Sequence, residues 1–589
     1  MLNLKETRAG KFYYSKLYQA FTEGNENIFR YFHYNFHKLG DIAKRAEYVS
    51  SSCNSSVRQQ ISGMLEQYNI AIGCSNETVK NCRHLASDNC MVVAGGQQPG
   101  LFTGPVFIIY KIMSVIKLST FLSGLLKTRV IPVFWSASDD SNFSQIDRAF
   151  LFNNKLAEIR IDYPGIDNER AAVQETGEME NGRQETKRRF SDIVLGRDYI
   201  LGKISEFMDM LPATDFTPSI KKLLEDSAGS GKYGKCGSLP GNKAGIGLTP
   251  SIYFSRLVTR VFADSGLVII DPAIDGLKKL GLDLAKKDIR DSDLIYELIF
   301  ESGNDLKKEG YHSQLSRERG VPDFFMTFDG KRQKVKKIQL STNGKIAFSI
   351  GTGGRKNSLL MEQEEFEDFI TSNPEKLSFN VILRPIFQDI ILPVVCTICG
   401  PGEAAYFAQL KGVYELFGIR QPVIYPRFSA TVIENKLVKS FARSTITYDE
   451  LELDKSEIIK RIVRTTGSTG YHEGLKAMEE NLKSGIAEIK KSLEKNNIEI
   501  GKAAEHAKSV IGRELKSLEN RIAAETLLKD NIKTADMEKI YENIFPGGQL
   551  QERMVNVFNY INKYDFAFLR ELYDIIDPLS FTHKFIEIS

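Results

Sequence analysis

The sequence predicts an α/β protein in which a mostly parallel sheet flanked by helices is joined to a helical coiled-coil region. Three stretches carry that expectation. In residues 91–140 an apolar run, Met91 to Ala94, feeds a loop of Gly, Gln, Pro and Thr, then a long apolar helix, then a second apolar run, Val130 to Trp135. Residues 393–425 repeat the pattern with Pro393 to Cys399, the loop Gly400-Pro401-Gly402-Glu403, a helix over Ala404 to Phe417 and a strand over Pro422 to Tyr425. Units of strand, loop, helix and strand build parallel sheets. In the third stretch, Leu475, Met478, Leu482, Ile486, Ile489 and Leu493 step by 3, 4, 4, 3 and 4, and Ile511, Leu515, Leu518 and Ile522 by 4, 3 and 4. That spacing places apolar side chains on one helical stripe, with Lys and Glu on the other faces.

Each element has a local reason. Pro105 lacks an N–H and suits a first helical position, so Gly104, beside Thr103, is the expected cap. Gly95, Gly96 and Gly100 let backbone and ligand approach closely, and Gln97 and Gln98 both donate and accept. Such a loop offers backbone donors and a helix dipole to an anion. It is neither a Walker A motif nor G-x-G-x-x-G. Lys111, two turns into the helix, either reaches an anion at the helix mouth or faces solvent. Gly418 stops the later helix, and Leu267 to Asp271 is a further strand. Ligands of open α/β sheets bind beyond the carboxyl ends of strands, and Asp139, Asp140, Gly402, Glu403 and Arg427 all fall there. Both glycine-rich loops are therefore expected in one cleft.

The expected core covers residues 1–435, with insertions at about 154–245 and 286–373, the second opening on a helix over Ser292 to Lys308. Residues 436–545 form the coiled-coil domain, as two helices or one interrupted near Asn496 and Asn497, and 546–589 return to the core. An ordinary helical hairpin packed on its own domain is the alternative for the stripe.

Hydrophobic residues are 42% of the 589 and charged residues 26%, a folded balance for a chain this long. A net charge of +3 gives no broad surface for nucleic acid. No apolar run approaches about 20 residues without a polar break, and MLNLKETRAGKFYY lacks a signal peptide's apolar core. A cytoplasmic protein with no membrane partner is expected. Seven irregularly spaced Cys argue against a disulfide framework. Cys396-Thr-Ile-Cys399 is formally C-x-x-C, but it lies in an apolar strand with no second ligand pair, so no metal site is expected.

GGQQPGLFTGPVFIIYK followed by PVFWSASDD resembles the bacillithiol-biosynthesis cysteine-adding enzymes (BshC), which carry G-Q-Q-x-G-L-x-T-G-P, a Lys, then F-W and an acidic run. TPSIYFSRLVTRVFADSGLVIIDP, GYHSQL, NVILRPIFQDIILPVVCTICGPGEAAYFAQL, PVIYPRFS and FPGGQLQERMVNVFNYINKY resemble that family's later motifs in the same order. The resemblance implies a Rossmann-like core akin to class I aminoacyl-tRNA synthetases, interrupted by insertions, and a coiled coil that pairs two subunits. It implies a ligase joining L-cysteine to glucosaminyl-malate. An amide from a free carboxylate is uphill in water, so the acid must be activated. A nucleotide-binding core allows an acyl-phosphate or acyl-adenylate route with an ATP/ADP-type nucleotide, though the residues do not name the cofactor. Planar Arg suits malate's two carboxylates, which makes Arg384 and Arg427 candidates. Asp139 and Asp140 are candidates to orient the amine, take its proton or hold Mg²⁺. Gln97, Gln98, Thr103, Gly104, Gly402, Glu403, Tyr406 and His312 complete the candidate substrate wall, with Lys111 beside the two aspartates as a catalytic candidate.

One departure stands out. Where the family reads Glu-Asp-His-Asp, this chain has Asp139, Asp140, Ser141 and Asn142. A mechanism that uses that His cannot operate from here. The second hypothesis is accordingly a coiled-coil dimer that binds a nucleotide or sugar acid without this catalysis, or a diverged relative acting on another substrate.

Overall fold

The computed structural model describes residues 5–8, 14–52, 54–153, 155–163, 188–229, 248–340, 345–351, 359–444, 446–452, 455–465, 470–494, 501–528 and 531–588. They divide into two compact units. One holds residues 14–429 and 552–581; the other holds 1–13, 430–551 and 582–589. Compared with the expected boundaries, both ends of the chain thus group with the helical region.

The first unit is built on five parallel strands: β1 (Cys90–Gln97), β2 (Arg129–Ser136), β3 (Val268–Ile270), β4 (Val394–Cys399) and β5 (Val423–Pro426). Their order is β5-β4-β1-β2-β3, and every pairing is parallel. The central strands β1, β2 and β4 are almost wholly apolar, as strands covered on both faces must be. The order reverses between β1 and β4. At such a switch point the two connections leave in opposite directions and open a crevice at the carboxyl ends.

Helix α1 (Phe107–Leu126) packs on β1, β2 and β4. It is apolar and long enough to cross a membrane by composition, yet 67% of its apolar window is buried in this unit. Its regular helix begins at Phe107, two residues beyond the expected Pro105, because Pro105 forms an isolated bridge with Asn556. Helix α2 (Leu383–Ile391) precedes β4. Helix α3 (Pro401–Phe407) follows β4, and the GPGE stretch forms its first turn rather than a loop. The helix expected over Ala404 to Phe417 is broken, resuming at Lys411–Leu416. Gln409 explains the break: its buried carboxamide oxygen accepts the N–H groups of Gln314 and Leu315, at 2.7 and 2.8 Å, which ties the turn to another loop.

The second insertion is a helix over Leu282–Lys308, ten residues longer at its start than expected, and a five-stranded antiparallel sheet. Strands Phe324–Phe328 and Lys331–Gln339 of that sheet form a hairpin, and Leu377–Phe379 is its edge. Of the first insertion, strand Lys155–Arg160 and helices Arg197–Asp209 and Thr217–Ser227 are described, whereas residues 164–187 and 230–247 lie outside the described residues.

The other unit carries the coiled coil. Helices Gly470–Glu494 and Gly501–Leu528 pack on each other; the interruption expected near Asn496 and Asn497 lies outside the described residues. Helix Lys455–Thr465 packs on the second of them, with Lys460 bonded to Glu519 at 2.9 Å. A three-stranded sheet places Lys584–Ile588 between Lys5–Arg8 and Ala430–Glu434.

Candidate active site

A cavity of about 510 Å³ opens at the switch point, a size usual for small-molecule sites. Its wall includes Gly96, Gln97 and Gln98 at the carboxyl end of β1, Asp139 and Asp140 after β2, and Gly400 to Glu403 after β4. The two glycine-rich stretches therefore do share one cleft. Gly95 and Gly96 are required by close packing. A Cβ on Gly95 would lie 2.6 Å from Val115 Cγ2 of α1, and one on Gly96 would lie 2.8 Å from the Trp135 carbonyl of β2.

One hydrogen-bonded chain of side chains runs from α3 to the end of β2. Lys111 Nζ donates to Glu403 Oε2 at 2.5 Å, Gln97 Oε1 at 3.2 Å and the Gly96 carbonyl at 2.9 Å. Gln97 Nε2 donates to Gln98 Oε1 at 2.6 Å, and Gln98 Nε2 to Asp140 Oδ2 at 3.0 Å. Glu403 also accepts the Gly400 N–H at 2.8 Å, which closes the first turn of α3. Lys111 is thus neither solvent-facing nor free to hold an anion, because an ammonium has three protons and all three are committed. Burial pulls its pKa below the ordinary lysine value, against the opposing pull of Glu403.

A second cluster surrounds Asp139. Lys278 Nζ donates to Asp139 Oδ1 at 2.7 Å and to the Leu377 carbonyl. Arg189 lies 3.7 Å from the same oxygen while pairing with Asp192 at 2.7 Å. Burial, only partly opposed by Asp139, pushes Lys278 down to about 8. Among the described residues no group of three or more His, Cys, Asp or Glu converges to hold a metal.

Arg384, on α2, lines the cavity. It donates to Gln388 Oε1 at 3.3 Å and Tyr406 Oη at 3.4 Å, and its guanidinium lies 5.8 Å from the Trp135 ring centre. Arg427 also reaches the wall, but Glu552 holds it through two bonds of 3.0 and 2.5 Å. Burial lowers the Arg427 pKa, and the adjacent Glu552 carboxylate more than offsets this, leaving it above the ordinary value. Arg427 is therefore a structural ion pair rather than a reader of carboxylates. The partner was not apparent from the sequence because it lies 125 residues away in the LQER motif.

Three further expectations are corrected. Thr103 and Gly104 are not part of the cavity wall. Phe102, Thr103 and Gly104 all have positive φ, at 49°, 75° and 71°, and Asn556 Nδ2 clasps this strained turn by donating to the Phe102 and Gly104 carbonyls. The donors expected to serve an anion there are spent on carbonyls: Leu101 on Ile146, Gly104 on Leu101 and Val106 on Val555. His312 is exposed and bonds Gln314 Oε1 at 3.2 Å; Gln314, not His312, is on the wall.

Sequence reasoning missed Lys278, Arg332, Asn380 and Arg553, all on the wall. Lys278 follows the carboxyl end of β3, so its position carried a signal. Arg332 is one of several cations in a Lys-rich strand and carried none. Ser141 and Asn142, at the departure from the family motif, are not on the wall.

The family model described as the BshC N-terminal Rossmann-like domain matches residues 2–228 and 248–428, and the BshC C-terminal coiled-coil model matches 430–588. The chain belongs to the bacillithiol-biosynthesis BshC family. Relatives named "Putative cysteine ligase BshC" include one from Salinibacter ruber, 27% identical over 93% of this chain and 92% of its own. Another, from Chlorobaculum tepidum, is 26% identical over 100% and 99%, and one from Koribacter versatilis is 28% identical over 90% of each. The BshC assignment thus spans both units, and the expected Rossmann-like core and coiled coil are those of the family.

Proposed function

We propose that the chain is the cysteine ligase of bacillithiol biosynthesis and condenses the carboxyl of L-cysteine with the amine of glucosaminyl-malate. One observation carries the reading. The switch-point cavity of this BshC-family chain has on one wall Arg384, a guanidinium without an ion-pair partner among the described residues, and the carboxylates Asp139 and Asp140. Arg384 receives a malate carboxylate. Asp139 and Asp140 hold the amine and take the proton it loses on attack. Lys111 is a positioning residue that fixes Gln97 and Glu403. The cysteine carboxyl needs activation, and an ATP/ADP-type nucleotide is the candidate donor. The alternative of a non-catalytic or diverged binder drew its support from Ser141 and Asn142, which lie outside the wall.

We further assign the chain as a homodimer through the coiled coil. Met478, Ile489 and Leu518 remain 51%, 58% and 45% exposed although the two long helices already pack together. A second copy would cover them.

The test of the reaction is calorimetric binding of glucosaminyl-malate, with mass spectrometry for the cysteinyl product. Arg384→Ala should weaken binding about ten- to a hundredfold, the loss of a charge-assisted contact. A wild-type protein that binds no glucosaminyl-malate defeats the proposal.

A further inference from the structure

Several half-buried or buried guanidiniums among the described residues have a carboxylate beside them, while the buried Arg45 and Arg58 donate to backbone carbonyls instead. Arg427 has Glu552, Arg189 has Asp192, and Arg317 has Asp323 at 2.7 Å. Arg332 is different. It comes from the inserted antiparallel sheet, on the strand Lys331–Gln339, and it reaches the cavity wall. Its Nε donates to Ser378 Oγ at 3.1 Å, and Ser378 in turn donates to the Asp139 carbonyl. The guanidinium lies over the Phe325 ring, 3.6 Å from its centre. No ion pair or further hydrogen bond engages its two terminal nitrogens among the described residues.

Such a group is held in place but not neutralised. The aromatic ring and Ser378 fix its orientation, which is the arrangement that makes bidentate recognition of a carboxylate effective. Burial pulls its pKa below the ordinary guanidinium value, and Asp140 and Asp139 offset this only in part. An anion in the cavity would supply what the protein withholds. Arg384, on helix α2, shares the condition: two neutral partners, an aromatic neighbour and no ion-paired carboxylate among the described residues.

We propose that Arg332 is a specificity-determining residue of this site, and that Arg332 and Arg384 each read one carboxylate of a dicarboxylate substrate. The inference rests on the ligase reading above and deepens it. A dianion satisfies both guanidiniums, whereas a monoanion leaves one of them half-buried and unpaired. The inserted sheet then has a direct purpose at the site, since it delivers the second cation.

The experiment uses three ligands: glucosaminyl-malate and two analogues, each lacking one of the malate carboxylates. Each is titrated calorimetrically into wild type, Arg332→Gln and Arg384→Gln, with circular dichroism to confirm folding. Arg332→Gln is expected to weaken glucosaminyl-malate and one analogue by about ten- to a hundredfold while leaving the other analogue at its wild-type affinity. Arg384→Gln should show the reverse pattern. If Arg332→Gln fails to fold, Arg332→Lys carries the comparison, because it keeps the charge but loses the fork, and the same selectivity between analogues is expected at a smaller amplitude. Equal weakening of all three ligands, or none, overturns the inference while leaving the ligase reading in place. A wild type that binds none of the three overturns both.

Discussion

Lys278 holds its ammonium between the Asp139 carboxylate and the Leu377 carbonyl, almost wholly shielded from water. The folded chain holds this proton less tightly than an unfolded one, with a pKa of about 8 against the ordinary 10.5. Below about pH 8 both states carry it and stability is flat in this respect. Between about 8 and 10.5 the unfolded state binds more protons, so stability should rise with pH. Measured by chemical denaturation, wild type should gain roughly 3 kcal/mol over Lys278→Met across that window. A difference that stays constant with pH would show that Lys278 titrates normally. Side chains of this kind divide in how legible they were. Gln97, Gln98, Asp139, Asp140 and Glu403 could be named from the sequence because each follows a recognisable strand or opens a helix. The pairing of Arg427 with Glu552 and the lack of an ion-pair partner for Arg332 among the described residues are properties of distant neighbours, which local pattern does not encode.

The β1 exit shows what an element demands of its residues. A methyl on Gly95 would press into Val115, so β1 and α1 would have to separate or Val115 leave its place. Gly95→Ala is expected to destabilise the protein by about 1–3 kcal/mol, read as a lower melting temperature in calorimetry. An unchanged melting temperature would mean that the strand and α1 are not packed this closely. The strands themselves were readable from apolar runs, and so was the cleft shared by the two glycine-rich stretches, from two units of the same pattern; the strand order that makes it a switch point was not. The element ends were not. Helix α1 starts late because Pro105 bridges to Asn556, and the helix after α3 breaks because Gln409 ties its turn to Gln314 and Leu315. In each case a tertiary bond outweighed a sound local signal.

At the scale of the molecule, the stripe on Gly470–Glu494 and Gly501–Leu528 sets the expected assembly. Replacing Leu482 and Ile489 with Lys puts two charges in the proposed seam, and light scattering should then report half the wild-type mass. A variant that keeps the wild-type mass would move the interface elsewhere. The two-unit plan was legible because a heptad-like stripe and paired strand–loop–helix units differ in period. The grouping of both chain ends with the helical unit was not, since it depends on strand pairing across nearly the whole sequence. The clasp on the Phe102 turn has a similar reach. Asn556 is 454 residues from Phe102 in sequence, and Glu552 neutralises an arginine made 125 residues earlier. During synthesis the sheet and its first glycine-rich turn leave the ribosome long before either of these partners exists. The nascent chain must therefore hold a strained turn open and a cation unmatched until residues 552–556 have been translated. Loop closure over such distances is slow. The turn that follows β1 and the Arg427 side of the candidate cleft are thus expected to settle after the sheet that carries them.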